Sequence, residues 1–176
     1  MQPQSRPLRR PPLAPMGRAL PREVFLSHST KDRVFALKVA VTIRDHGVPV
    51  WYGPTNITGA KQWHDEIGSA LRRCDWFVVV LSPNAVRSEW VKRELMFVLN
   101  DSRYEERIIP VLYKPCNSSS LSWVLPAFQR VDFTNGHNAG CRDLLRIWGL
   151  GLTNAVANRN RPRHINTSSR HRVAPV

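Results

Sequence analysis

The sequence predicts a single open α/β sheet of five parallel strands with helices on both faces. Three observations carry this expectation. Short runs of strand-forming apolar residues alternate with segments of helical period across residues 22–150. One run, Asp75 to Ser82, is apolar on both faces around Trp76–Leu81, as a central parallel strand covered on two sides must be. The length of 176 residues, 42% of them hydrophobic, allows one domain with one sizeable core.

The elements follow in order. Val24 to His28 is an apolar run that reads as the first strand. Ser29-Thr30-Lys31-Asp32 has capping-box spacing, with Ser29 as N-cap and Asp32 three residues on. Phe35, Leu37, Val39, Ala40 and Ile43 continue as a helix, which Gly47 ends as a C′ glycine. Val48 to Tyr52 is a second strand, broken by Gly53-Pro54, and a loop runs to about Lys61. Trp63, Ile67, Ala70 and Leu71 mark a second helix. After the central strand, Ser82-Pro83 reads as a cap with proline at N1. A third helix is expected over 88–100 and a fourth strand over 107–112. Pro110 within that strand signals an edge or an irregularity, because it cannot donate to a ladder. Residues 113–128 read as loop with a short helix, 129–133 as a fifth strand and 143–150 as a final helix.

Five strands joined by helices build βαβ units, and the flavodoxin-like order 2-1-3-4-5 suits that count. In this order a ligand crevice opens beyond the carboxyl ends of strands 1 and 3. Here that means the loops after His28 and Leu81.

The formal charge of +13 and a pI near 11 first suggest a nucleic-acid binder. The distribution argues otherwise. Residues 1–21 hold Arg6, Arg9, Arg10 and Arg18, six prolines and no acid; residues 151–176 hold five arginines and no acid. The middle, 22–150, keeps only +4 of the total. Disordered basic tails are therefore expected at 1–21 and 151–176 around one folded domain, with at most weak attraction to nucleic acid or an anionic surface. No window approaches the ~20 apolar residues of a membrane span. Arg9-Arg10 is followed by Pro11-Pro12 and no apolar stretch of a secretory leader. A cytoplasmic protein is expected. Cys74, Cys116 and Cys141 are odd in number and lack metal spacing, so buried free thiols are expected and no metal site.

Several chemistries are excluded by pattern. There is no G-x-G-x-x-G, P-loop or G-x-S-x-G. The ends of strands 1 and 3 read Ser27-His28 and Leu81-Ser82, without the acids a phospho-accepting receiver needs. His64-Asp65-Glu66 lacks the second histidine of a zinc helix and reads as surface. The run Ser88 to Glu94 says more. Trp90 and Glu94 stand at i and i+4 on one face of the helix that follows the central strand. A carboxylate beside an indole suits a sugar hydroxyl and a stacked base or pyridinium ring. The competing interpretation is a core tryptophan with Glu94 paired to a surface arginine.

Taken with Val24 to Ser29 and Lys31-Asp32, Gly47 to Trp51, Gly59, Trp63 to Ile67, Cys74 to Pro83, Ser88-x-Trp90-Val91-x-x-Glu94 and Arg107 to Leu112, the chain resembles a Toll/interleukin-1 receptor (TIR) domain of the bacterial kind over about residues 22–135. Each motif is weak alone; their order and spacing together are specific. The resemblance implies the flavodoxin-like fold and one of two activities. TIR domains either recruit other TIR domains or cleave NAD, as substrate rather than cofactor, at the nicotinamide–ribose bond to nicotinamide and ADP-ribose or a cyclic form. Glu94 matches the family's catalytic glutamate and Trp90 the tryptophan before it. The loop from Gly53 to Gln62, with Pro54, Asn56, Ile57 and Gly59, matches the segment that gates the site and contacts neighbouring subunits. Ser27, His28 and Ser29 stand at the crevice for ligand contact, with a purely structural role open for His28. Lys92 is open between a phosphate contact and a solvated side chain. Two departures stand out: no Asp follows Trp51, and the end of strand 1 lacks the arginines of some members. A nucleoside-processing enzyme of similar shape, such as a deoxyribosyltransferase, is a third and weaker alternative.

Overall fold

A computed structural model describes residues 20–53 and 60–151, with backbone alone for 60–63. Five strands, β1 (Val24–Ser27), β2 (Val50–Trp51), β3 (Trp76–Leu81), β4 (Ile108–Leu112) and β5 (Val131–Asp132), form one parallel sheet of order 2-1-3-4-5. The predicted order stands. Four helices connect or follow them: α1 (Arg33–Asp45), α2 (Ala60–Arg73), α3 (Glu89–Leu99) and α4 (His137–Ile147).

Strand alternation sorts the core into two layers. Val24, Leu26, Trp76, Val78 and Val80 pack with Phe35, Val39 and Ile43 of α1 and with Leu144, Leu145 and Trp148 at the α4 end. Phe25, Phe77, Val79 and Leu81 face the other way, against Ile67 and Leu71 of α2 and Val91, Leu95 and Val98 of α3. All six residues of β3 are buried, as its two-faced apolar run requires.

Three local features depart from expectation. The chain after β1 makes a single 3-10 turn, Thr30–Asp32, before α1 begins. Ser29 caps that turn by accepting from the Lys31 N–H, but Asp32 does not complete the capping box. Its carboxylate turns inward to the end of β3. Similarly, Ser82 caps a turn rather than a helix: its Oγ accepts from the Asn84 and Ala85 amides, and α3 starts later with Ser88 as N-cap. Finally, α4 begins at His137, six residues before the expected Asp143.

Two glycines and one proline are set by geometry. Gly47 has φ +82°, its N–H bonds the Arg44 carbonyl and the Val48 N–H reaches Ile43, a Schellman stop for α1. Gly140, inside α4, lies against Phe133; a Cβ there would stand 2.4 Å from the ring. Gly140→Ala is expected to cost about 2 kcal/mol through overpacking, read from urea denaturation. Pro110 sits in β4, an interior strand, paired in register with Val79. The Tyr113 N–H bonds Leu81 of β3 and the Leu112 carbonyl accepts from Phe133, so Pro110 turns its missing donor toward β5. Pairing with β5 begins only at Val111, and the proline is tolerated because that side is locally an edge.

Candidate active site

The carboxyl ends of β1 and β3 carry two buried polar clusters, one on each side of the sheet. On the α1 side, Asp32 accepts from the Ser82 hydroxyl at 2.5 Å and from the Asn84 amide at 2.8 Å. Asp32 and Ser82 are both buried. This cluster ties the turn after β1 to the turn after β3. Sequence reasoning missed it, because the local Ser29–Asp32 spacing accounted for Asp32 without a distant partner.

On the α3 side, Glu94 reaches the end of β1. Ser27 shares the strand face of Phe25, toward α2 and α3, and its hydroxyl donates to Glu94 Oε2 at 2.5 Å. Ser27 is 1% exposed and Glu94 9%. Among the described residues no salt bridge reaches Glu94, which is therefore not the partner of a surface arginine. Burial raises its carboxyl pKa, and the Ser27 hydrogen bond pulls it back only partly, leaving it at about 7. An acid in this state holds its proton loosely at neutral pH and concentrates negative charge in a poorly solvated place when ionised.

The remaining candidates are spread around this pair. Trp90, one turn before Glu94 on α3, is 37% exposed, so it is not a core residue. Its ring centroid is 4.8 Å from that of His64, and the Arg93 guanidinium lies 5.5 Å from it. His28 is half-buried beside Tyr52, and its Nδ1 lies 3.2 Å from the Leu26 carbonyl. A carbonyl only accepts, so Nδ1 carries the proton. Burial lowers the imidazole pKa, which keeps the ring neutral at pH 7 with Nε2 as an acceptor. Ser29 spends its hydroxyl on the turn cap. Lys92 is exposed, two residues from Glu94 and so on the opposite side of α3. Gly53 is half-buried just beyond β2, whereas Pro54, Asn56, Ile57 and Gly59 lie outside the described residues.

The rest of the described surface offers less chemistry. A groove of about 610 Å³ runs along Arg93, Met96, Phe97 and Asn100 on the outside of α3, and one of about 470 Å³ lies among Arg22, Asp75, Arg103 and Arg107; neither includes Ser27 or Glu94. The three cysteines are free, with Cys74 and Cys141 buried and Cys116 half-buried. Burial pushes the Cys74 thiol up to about 12, far from a reactive thiolate. Among the described residues no group of three or more His, Cys, Asp or Glu is placed to hold a metal ion, and no helix is long and apolar enough to cross a membrane.

The fold and the site define a class: a doubly wound α/β domain whose topological switch point holds a buried acid supplied by the helix after the central strand. A family model described as TIR domain matches residues 24–145, and the chain belongs to the TIR domain family. It is similar to the NAD(+) hydrolase PdTIR of Paracoccus denitrificans, with 31% identity over 104 residues, 57% of this chain and 34% of that protein. It is also similar to the 2′ cyclic ADP-D-ribose synthase AbTIR of Acinetobacter baumannii, with 27% identity over 103 residues, 57% of this chain and 38% of that one. The NAD(+) hydrolase TcpC of Escherichia coli is 24% identical over 102 residues, 57% of this chain and 33% of its own. The chain thus spans about a third of the length of these relatives. Among solved structures, a metazoan TIR-STING receptor from C. gigas aligns with a TM-score of 0.59 at 18% identity, over 73% of this chain and 39% of that one. The TIR domains of the activated Roq1 resistosome align with a TM-score of 0.57 at 19% identity, over 71% of this chain and 98% of theirs. These likenesses show the fold.

Proposed function

We propose that this TIR domain cleaves NAD at the nicotinamide–ribose bond, releasing nicotinamide and ADP-ribose or its cyclic form, with Glu94 as the catalytic residue. One observation carries the reading: a carboxylate buried at the switch point, held by a serine hydroxyl and by no cation among the described residues. The relatives named as NAD(+) hydrolases and as a 2′ cyclic ADP-D-ribose synthase support it.

The chemistry suits that group. Nicotinamide leaves the pyridinium as a neutral base, so no strong general acid is required. The barrier lies in the oxocarbenium character that develops on the ribose; water, or for the cyclic form a nucleophile within ADP-ribose itself, then bonds the anomeric carbon and gives up a proton. A carboxylate aimed at the ribose hydroxyls and the anomeric carbon stabilises that charge, most strongly where water is excluded. In this reading Trp90 walls the site or stacks on a ring, and the His28 Nε2 accepts from a ligand hydroxyl or amine. Residues 22–150 form the catalytic unit of this proposal, acting in the cytoplasm and in an assembly of copies. A chain trimmed to those residues is expected to retain cleavage within about twofold, a difference of less than ~0.5 kcal/mol.

Incubating concentrated full-length protein with NAD, and resolving nicotinamide and the ADP-ribose products by chromatography, tests the reading. A second reading, a catalytically silent assembly module, draws support from Val34, Leu37 and Val41, an exposed apolar row on α1. It predicts no nicotinamide from any assembled state, and loss of self-association when the row is made polar.

A further inference from the structure

We propose that Ser27 is a positioning residue for Glu94, holding the carboxylate in place and in its charged form, rather than a contact for the substrate. The inference rests on the reading of Glu94 as the catalytic group and deepens it.

The geometry argues for this division of labour. Ser27 is the last residue of β1, fixed in register with Val79 of β3. Its Cβ direction is therefore set by the sheet rather than by a loop. Ser27 is 1% exposed as a whole residue, so little of it is left for a ligand to touch. Its one proton points at Glu94 Oε2 at 2.5 Å, within the range of a charge-assisted O–H···O bond. Glu94 in turn stands on the inner face of α3, between buried Val91 and buried Leu95 and Val98, with no cation among the described residues to hold it. A carboxylate on a long, rotatable side chain in such a setting has two problems. It must be kept from swinging away, and it must be kept from staying protonated. One short hydrogen bond from a rigid strand answers both, because a hydroxyl donor favours the charged form over the neutral one. The raised pKa of Glu94, with burial as its larger cause and Ser27 opposing it, agrees with this reading.

The roles of contact and of positioning are separable by experiment. Ser27→Ala is measured in the full-length protein for NAD cleavage between pH 5 and pH 9. The Glu94 carboxyl carbon is titrated by NMR in the same proteins without substrate. If Ser27 positions Glu94, kcat at pH 7 falls about tenfold or more while KM stays within about twofold. The acid limb of the profile and the Glu94 titration both move up by about one pH unit, the size of one lost hydrogen bond to a charged group. If Ser27 is instead a substrate contact, KM rises and neither titration moves, which overturns the inference. Should Ser27→Ala fail to fold, the nearly isosteric Ser27→Cys, a weaker donor, is expected to shift both in the same direction by less. The titration keeps the two claims apart. A shifted Glu94 in a protein that releases no nicotinamide overturns the reading of the activity but leaves the Ser27–Glu94 coupling standing. An unshifted Glu94 in an active enzyme does the reverse.

Discussion

Replacing Glu94 by Gln is expected to end NAD cleavage and, above neutral pH, to stabilise the fold. The loss of activity follows from charge. Gln is close in shape to Glu but cannot ionise, so the electrostatic stabilisation of the ribosyl cation goes, and a fall of about 10³-fold or more in kcat is expected. The gain in stability follows from linkage. The folded-state pKa of Glu94 is raised from the ordinary 4.5 to about 7. Between those values the folded chain keeps a proton that the unfolded chain releases, so the contribution of this group to stability falls as pH rises from 4.5 to 7. The shift corresponds to about 3 kcal/mol in all. Glu94→Gln does not titrate and escapes that loss. In urea melts its stability relative to wild type is therefore expected to improve by about 3 kcal/mol between pH 4.5 and pH 8. A constant difference across that range would mean that Glu94 is not buried as an acid of raised pKa.

Asp32→Ala is expected to give the largest loss of stability among single changes at the crevice. Asp32 is 4% exposed, and its carboxylate holds both the Ser82 hydroxyl and the Asn84 amide. Its removal leaves those donors without their acceptor and opens a void. Two hydrogen bonds to a charged group and a buried space together are worth about 3 kcal/mol, or a fall in Tm of about 10 °C. Because Asp32 joins the turns after β1 and β3, which flank Ser27, nicotinamide release is expected to fall as well, by more than the loss of folded protein explains. Asp32→Asn keeps one acceptor and the shape, and is expected to cost less. Melting of Asp32→Ala within about 2 °C of wild type would show that the cluster does not hold the crevice together.

The sheet was legible because its signal is local. Apolar runs of strand length, a two-faced central run and a C′ glycine at Gly47 specified β1 to β4, α1 to α3 and the strand order that follows from them. Boundaries were less legible where backbone and tertiary packing compete. The final helix is expected only from Asp143, yet α4 starts at His137 and runs through Asn138 and Gly140, and Gly140 is small enough to let the helix sit on Phe133. β2 and β5 are two residues each, since only Val50–Trp51 and Val131–Asp132 find partners. Topology pointed to the carboxyl ends of β1 and β3 and to the helix bearing Glu94. It did not reveal that Ser27 is bonded to Glu94, 67 positions away, or that Asp32 is bonded to Ser82, 50 away. Such pairs leave no mark in spacing; they depend on which face of each strand its last residue presents.

The central claim is that the Glu94 carboxylate, in its ionised form, drives cleavage of the nicotinamide–ribose bond. The most direct measurement is the rate of nicotinamide release from NAD by concentrated full-length protein between pH 5 and pH 9, beside Glu94→Gln. The expected profile rises with pH through about 7, where Glu94 loses its proton, and the variant stays at background throughout. Release by Glu94→Gln at the wild-type rate, or none from the assembled wild type at any pH, would contradict the account.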